Sequence, residues 1–136
     1  MFSLFFSKAT AVKMSMTAPV RSVGGEKRSP LKISFVLPSK YSKASAPRPL
    51  SSSVSVRQLP SHLLAARKFA GPPPSDLRVA REKARVVAAL EKAGLTAAKR
   101  GPSGEGPLVV YGYHDPFITP NLLRRNEVGL YVRGGA

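Results

Sequence analysis

Gly71 and the three prolines that follow it, at positions 72–74, separate two differently patterned parts of the chain. Proline lacks a backbone N–H and disfavours helix at the residue before it, so no regular element is expected to run through this segment. Directly after it, Ser75 is placed to cap the start of a helix, and Gly94 is placed to end one. Apolar residues recur between them at three- and four-residue spacing: Leu77, Ala80, Ala84, Val87 and Leu90. The sequence therefore predicts an amphipathic helix over residues 75–93 with this stripe against the core.

Short segments of alternating apolar and polar residues on both sides of the helix predict β-strands. Before the helix they cover residues 13–20, 31–37 and 53–59, followed by an extended segment at 62–69. After the helix they cover residues 108–113 and 126–133. Residues 21–30 contain two glycines and several charges and predict a loop, as do residues 99–106 and 115–121. One helix among about six strands indicates an α+β domain, with antiparallel pairing favoured.

The charge balance is strongly basic, with 22 Lys and Arg against 7 Asp and Glu and a net charge of +15. A positive field of this size favours anionic partners. The predicted helix carries four bases on one face: Arg78, Arg81, Arg85 and Lys92. Glu82 and Glu91 reduce that charge, so an ordinary solvated face is the alternative. No segment resembles a module that reads bases. Nucleic acid is therefore not the expected partner, while an acidic membrane surface and a charge that only aids solubility both stay open.

Residue types that carry catalysis or hold metals are scarce. The chain has no cysteine, and its two histidines, His62 and His114, show no ligand spacing with carboxylates. We interpret both histidines as surface or turn residues. The glycine-rich segment at 101–106 lacks the lysine and the following helix of a phosphate-binding loop. We expect no enzyme and no metal site, and no stretch approaches the roughly 20 apolar residues that span a bilayer.

Aromatic and methionine side chains remain as candidates for a binding site. They lie in three regions of the chain: Phe5, Phe6, Met14 and Met16; Phe35; and Phe117 with the neighbouring Ile118. Flat rings and flexible thioethers suit a planar apolar ligand, but the same residues also suit an ordinary core. From the residues alone, the chain is a small α+β binding domain.

Four stretches of the sequence closely resemble the SOUL haem-binding family. They are KMSMTAPV at 13–20, ISFVLPSKY at 33–41, VSVRQLP at 54–60 and YHDPFITPNLLRRNEVGLYV at 113–132. The resemblance implies a distorted antiparallel β-barrel flanked by helices, with residues 75–93 as the second helix. It also implies that residues 1–12 are the remnant of the first helix and its turn, and that the first strand and most of that helix are missing. We therefore expect residues 1–136 to form one incomplete domain, and a monomer.

The absence of acidic residues before Glu26 also suits a transit peptide. We favour the helix remnant for this segment because the resemblance to the family accounts for it. Cytoplasmic and plastid locations both stay open.

The resemblance implies non-catalytic binding of haem or a related tetrapyrrole in an apolar surface cleft, for buffering, carriage or delivery. The cleft residues it implies are Leu4, Phe5, Met14, Met16, Phe117 and Ile118. The alternative is that ligand binding is lost and the basic chain docks on an anionic partner, either an acidic membrane surface or RNA.

The lysines that are proposed to meet the haem propionates in the family are not retained here. Their positions hold Phe6 and Thr119. Lys13, Arg124 and Arg125 can supply positive charge instead, and Arg124 and Arg125 are included among the expected ligand-binding residues. The two arginines equally suit a structural ion pair or hydrogen bond together with Glu127. No axial ligand of the iron is assigned.

Overall fold

The computed structural model describes residues 17–24, 30–114 and 118–134. The chain divides into two compact units. The described part of the first unit consists of Thr17 and residues 36–59, and contains turns but no helix or strand element. One of these turns is closed by a hydrogen bond from the Tyr41 N–H to the Pro38 carbonyl. The predicted helix remnant at residues 1–12 lies outside the described residues, and a single domain stays a prediction.

A five-stranded antiparallel sheet is the framework of the second unit. Its strands are β1 (Val20–Val23), β2 (Lys32–Phe35), β3 (Leu63–Ala70), β4 (Leu108–Gly112) and β5 (Arg125–Val132). They lie in the spatial order β2-β1-β4-β5-β3. In the described part of the chain, β2 and β3 are the two edges and do not pair with each other, so the sheet is open. The α+β antiparallel prediction is confirmed, while closure into a barrel stays a prediction.

The predicted helix is confirmed almost to the residue as α1 (Asp76–Lys92). The Ser75 hydroxyl accepts a hydrogen bond from the Arg78 N–H at its start. At its end, Gly94 adopts a positive φ of 68°. The Leu95 N–H then reaches back to the Leu90 carbonyl at 2.9 Å, and the Gly94 N–H to the Glu91 carbonyl at 3.0 Å. These two hydrogen bonds form a Schellman cap, which glycine permits because it has no Cβ.

The buried face of α1 differs from the predicted one. Glu82, Val86 and Leu90 are buried, whereas Leu77 is 73% exposed and Ala80 and Ala84 are also exposed. Of the predicted stripe, Leu90 is buried and Val87 packs, partly buried, against the same cluster. The prediction was wrong for the other three residues. The physical reason is Glu82, a charged residue that is buried on the same face of the helix as Val86 and Leu90. It lies one turn before Val86 and two turns before Leu90.

Hydrophobic residues pack on both faces of the sheet, because successive residues of β5 point to opposite sides. Leu130 packs with Val86 and Leu90 of α1 on one face. Tyr131 packs with Val23 of β1 and Val109 of β4 on the other. Residues 126–131 of β5 are all buried, so this strand is the centre of the unit.

Two strand predictions near the N-terminal side differ from the described structure. Of the predicted strand at residues 13–20, residues 13–16 lie outside the described residues and residues 17–19 are not in a strand. Strand β1 begins at Val20 and continues into the segment at 21–30 that was predicted to be a loop. Arg21 misled the prediction because its charge is typical of a loop, yet its side chain is buried in β1. Residues 53–59 alternate in polarity but form no strand.

The strand predicted at residues 31–37 is confirmed as the shorter β2, but its apolar face is not core. Leu31, Ile33 and Phe35, the apolar residues of its alternating pattern, are all exposed. The remaining strands and the extended segment at 62–69 are confirmed within one or two residues of their predicted bounds.

Candidate functional site

The connection between β4 and β5 exposes a group of large apolar side chains. Ile118 is 81% exposed, Leu122 85% and Leu123 68%. Leu122 and Leu123 belong to a single turn of 3₁₀ helix at Asn121–Leu123. Exposed apolar side chains that occur together are typical of a binding surface rather than of a solvated loop. We refer to Ile118, Leu122 and Leu123 as the loop apolar group.

Hydrogen bonds fix the backbone that carries this group. The Asn121 carbonyl accepts a bond from the Gly71 N–H at 3.0 Å. Arg124 donates from Nε to the Thr119 carbonyl at 2.7 Å. The Asn126 side chain donates from Nδ2 to the Gly71 carbonyl at 2.9 Å. The loop apolar group is therefore held near the start of β5 by polar contacts that do not use its own side chains.

Arg125 is engaged by neighbouring side chains of the sheet. It donates from Nη2 to Glu127 Oε1 at 2.5 Å, and its guanidinium lies 4.7 Å from the centre of the Tyr113 ring. Tyr113 donates its hydroxyl hydrogen to Glu127 Oε2 at 2.8 Å. Burial and this bond to Glu127 raise the pKa of Tyr113 to about 12. The arrangement matches the structural ion pair considered for Arg125 and Glu127, and it reduces the charge that Arg125 can offer to a ligand.

Most of the predicted cleft residues lie outside the described residues, namely Leu4, Phe5, Met14, Met16 and Phe117. The described members of the predicted set, Ile118, Arg124 and Arg125, lie in one short segment of the chain. Their role in ligand binding stays a prediction, and Leu122 and Leu123 are exposed neighbours that the sequence analysis did not select.

A second candidate region lies at the opposite end of the β3–β5 pair. There, a cleft of about 380 Å³ is lined by residues far apart in the sequence, among them His62, Arg100 and Tyr131. The His62 ring meets the Tyr131 ring edge-on at 5.1 Å between ring centres. No local sequence signal marks this cleft, because the fold alone brings these three residues together.

A third region is basic and adjoins the second. A cleft of about 370 Å³ is lined by Lys32, Lys99 and Arg100, together with glycines of the 101–106 segment. Glu105 also lines it, but its carboxylate is paired with Arg21 at 2.5 Å. Arg100 lines both clefts, so it stands at the boundary between them.

The Arg21 side chain links this region to the core. Its Nη2 donates to Glu105 Oε1 and, at 2.6 Å, to the Tyr131 hydroxyl. The pKa of Glu105 is lowered, because hydrogen bonds from backbone N–H groups and from Arg21 outweigh the opposite effect of burial. The carboxylate therefore stays charged and holds the glycine-rich segment against β1.

The basic face predicted for α1 is partly neutralised by a buried carboxylate. Glu82 is 0% exposed and accepts from Arg67 Nε at 2.7 Å, Arg78 Nε at 2.9 Å and Arg85 Nη1 at 3.0 Å. The pKa of Glu82 is lowered, because the hydrogen bond from Arg67 and the charges of Arg85 and Arg78 outweigh the opposite effect of burial. Three arginines around one carboxylate leave a local excess of positive charge, with each guanidinium partly exposed.

Residues 17–24, 30–114 and 118–134 contain no group of three or more metal-ligating side chains. None of the helices in these ranges is both long enough and apolar enough to cross a membrane.

Comparison with known proteins identifies a protein family. The family model described as SOUL heme-binding protein matches residues 3–131, which is nearly the whole chain. No curated protein and no solved structure gives a significant match. The matched residues include the four stretches that carry the resemblance, apart from Val132 at the end of the last one. The open antiparallel sheet with α1 is consistent with the fold that the resemblance implies. The chain therefore belongs to the SOUL heme-binding protein family.

Proposed function

We propose that this chain binds haem or a related tetrapyrrole without performing chemistry on it, and that it buffers, carries or delivers the ligand. Beyond family membership, the observation that supports the proposal is the loop apolar group of Ile118, Leu122 and Leu123. A porphyrin presents two flat apolar faces, and covering an exposed leucine-sized side chain contributes about 1.5–3 kcal/mol. Three exposed apolar side chains on one connection therefore support the proposal.

The charged neighbours of the loop apolar group fit the carboxylates of a porphyrin. Arg124 and Arg125 follow Leu123 directly in the sequence. Arg125 forms an ion pair with Glu127, so its attraction for a further carboxylate is reduced. In this proposal the apolar side chains supply most of the affinity, and the arginines orient the ligand.

A haemin titration of the Leu122→Asp variant tests the proposal. The wild type is expected to give a saturable Soret shift at micromolar haemin. Leu122→Asp is expected to weaken binding at least about tenfold, because a charge replaces a side chain that the ligand would cover. Leu31→Asp is the matched control, since Leu31 is 58% exposed beside β2, at the opposite end of β1 and β4 from the loop.

Two results would contradict the proposal. One is the absence of a saturable shift from wild-type protein that circular dichroism shows to be folded. The other is an equal effect of the two substitutions. Salt-sensitive binding to anionic vesicles without haemin binding would favour the alternative, in which the net charge of +15 and the arginines around Glu82 dock on an acidic surface.

A further inference from the structure

A basic cleft lies at the opposite end of β1 from the loop apolar group. The basic cleft is the cleft of about 370 Å³ that is lined by Lys32, Lys99 and Arg100. Strand β1 pairs Val23 with Lys32 at one end, and both of these residues line the cleft. At the other end, β1 pairs Val20 with Gly112, which leads into the β4–β5 connection. The volume falls within the usual range of small-molecule sites, about 300–1,000 Å³.

The charges that line the basic cleft are not balanced. Lys32 comes from β2, and Lys99 and Arg100 come from the segment that follows α1. Glu105 is the one acid among the described residues that line the cleft. Its carboxylate is already paired with Arg21, and the two side chains are only 8% and 10% exposed. Three positive charges from two separate segments therefore have no carboxylate of the cleft to neutralise them.

Hydrogen bonds hold the wall of the cleft to which Arg100 belongs. The Gly101 N–H donates to the Glu105 carbonyl at 2.7 Å, and the Gly104 N–H donates to the Gly101 carbonyl at 3.0 Å. Arg100 Nη1 donates to the Gly104 carbonyl at 3.1 Å. Because Gly104 also lines the cleft, this bond places the guanidinium beside it. A guanidinium has five N–H donors, so Arg100 keeps others for a ligand oxygen.

This combination of charge and backbone favours a phosphate group as the ligand. A phosphomonoester carries a charge of about −1.5 to −2 near pH 7, whereas a carboxylate carries one, so phosphate matches three bases better. The planar fork of an arginine fits phosphate oxygens, and a lysine adds a flexible point charge. Gly24, Gly104 and Gly106 also line the cleft, and the lack of a side chain lets a ligand approach the backbone there.

We propose that the basic cleft binds the phosphate group of a small ligand, with Arg100 as the oriented contact and Lys32 and Lys99 as neutralising charges. Such a group occurs in soluble phosphate esters and in lipid head groups, and the test separates these two sources. The inference goes beyond the proposed function, because it uses neither the ligand nor the residues of the loop apolar group.

The test is a calorimetric titration of the whole chain with pyrophosphate, near neutral pH and at low salt. Co-sedimentation with phosphatidylcholine vesicles, with and without phosphatidic acid, is the lipid arm. Lys99→Gln combined with Arg100→Gln removes two charges from the cleft. Lys43→Gln combined with Arg81→Gln is the matched control, because these bases are also exposed and do not line the cleft.

A single substitution approaches the cleft from its other wall. Lys32→Gln removes the charge on β2 and leaves the hydrogen bonds of the 101–105 segment intact. It keeps the inference testable if the double cleft variant does not fold, and circular dichroism checks the fold of every variant.

The wild type is expected to bind pyrophosphate saturably. Affinity should fall at least about tenfold in the double cleft variant, because charge-assisted hydrogen bonds are lost. It should fall about threefold in Lys32→Gln, and less than about twofold in the matched control. The same order of variants in vesicle binding, without binding of pyrophosphate, would support the site and identify a lipid head group as its source. Haemin affinity of the double cleft variant should equal that of the wild type.

Three results would overturn the inference. The first is folded wild-type protein that binds neither pyrophosphate nor vesicles with phosphatidic acid, which would leave tetrapyrrole binding standing. The second is an equal loss in the double cleft variant and the matched control, which would assign binding to the net charge alone. The third is a loss of haemin affinity together with pyrophosphate affinity in the double cleft variant, which would assign the cleft to the tetrapyrrole.

Discussion

Replacing Glu82 by glutamine tests whether the buried carboxylate holds α1 on the sheet. The substitution preserves the shape of the side chain and removes its charge. Glu82 is fully buried, and Arg67 reaches it from β3 while Arg78 and Arg85 reach it from α1 itself. The cluster therefore connects the helix to an edge strand, and its loss should appear as a lower free energy of unfolding.

The size of the effect follows from the exposure of the arginines. A hydrogen bond to a charged group contributes about 1.5–3 kcal/mol when it is shielded from water. The three arginine side chains are 40–50% exposed, so solvent screening lowers each contribution to about 1 kcal/mol. Glutamine keeps one acceptor oxygen and recovers part of the total. We expect Glu82→Gln to lower the free energy of unfolding by about 2–3 kcal/mol at pH 7.

The pH dependence gives this prediction a second, independent readout. The folded-state pKa of Glu82 is lowered from the ordinary value of 4.5. A lowered carboxyl pKa contributes stability that is fully present above the unfolded value and is lost as the pH falls through the folded one. The difference in stability between wild type and Glu82→Gln should therefore be constant above about pH 5 and should shrink below pH 4.5.

Urea unfolding followed by circular dichroism at a series of pH values measures both quantities. Glu91→Gln is the matched control, because Glu91 lies on the same helix and is exposed. It should change stability by less than about 0.5 kcal/mol at every pH. The reasoning is refuted if Glu82→Gln behaves like this control, or if its effect does not decrease in acid.

Two further substitutions test other buried contacts. Arg21→Met should lower the free energy of unfolding, measured with urea, by about 3–5 kcal/mol. The reason is that the Glu105 carboxylate, whose side chain is only 8% exposed, loses its cation. An effect below about 1 kcal/mol would contradict this prediction. Gly24→Ala should lower the melting temperature, since the residue has a φ of +94° and an added Cβ would lie 2.5 Å from the Pro30 carbonyl oxygen. Gly112→Ala, where a Cβ has open space, should not lower the melting temperature, and equal effects of the two glycine substitutions would be inconsistent with the backbone argument.

Features set by local residues could be predicted from the sequence, and features set by distant contacts could not. The bounds of α1 follow from Ser75 and Gly94, which act on the adjacent turns. The buried face of α1 does not, because Glu82 is buried only through arginines that include one from β3. The burial of Arg21 in β1 could not be predicted either, because it depends on Glu105 and Tyr131, which are distant in the sequence.

The candidate sites divide in the same way. The β4–β5 connection could be selected because Ile118, Arg124 and Arg125 are close in sequence and match family motifs. The His62 cleft could not, because His62, Arg100 and Tyr131 belong to separate segments that only the sheet assembles.

The position of β5 has a consequence for how this chain is made. β5 is the last of the five strands to be synthesised, yet it lies between β3 and β4 and pairs with both. While the nascent chain emerges from the ribosome, β3 must wait for a partner that follows it by the whole of α1 and β4. Pairing over such sequence separations makes folding slow and leaves strand edges exposed in the meantime. During this interval, α1 lacks Leu130 of β5, so Val86 and Leu90 have no strand β5 to cover them.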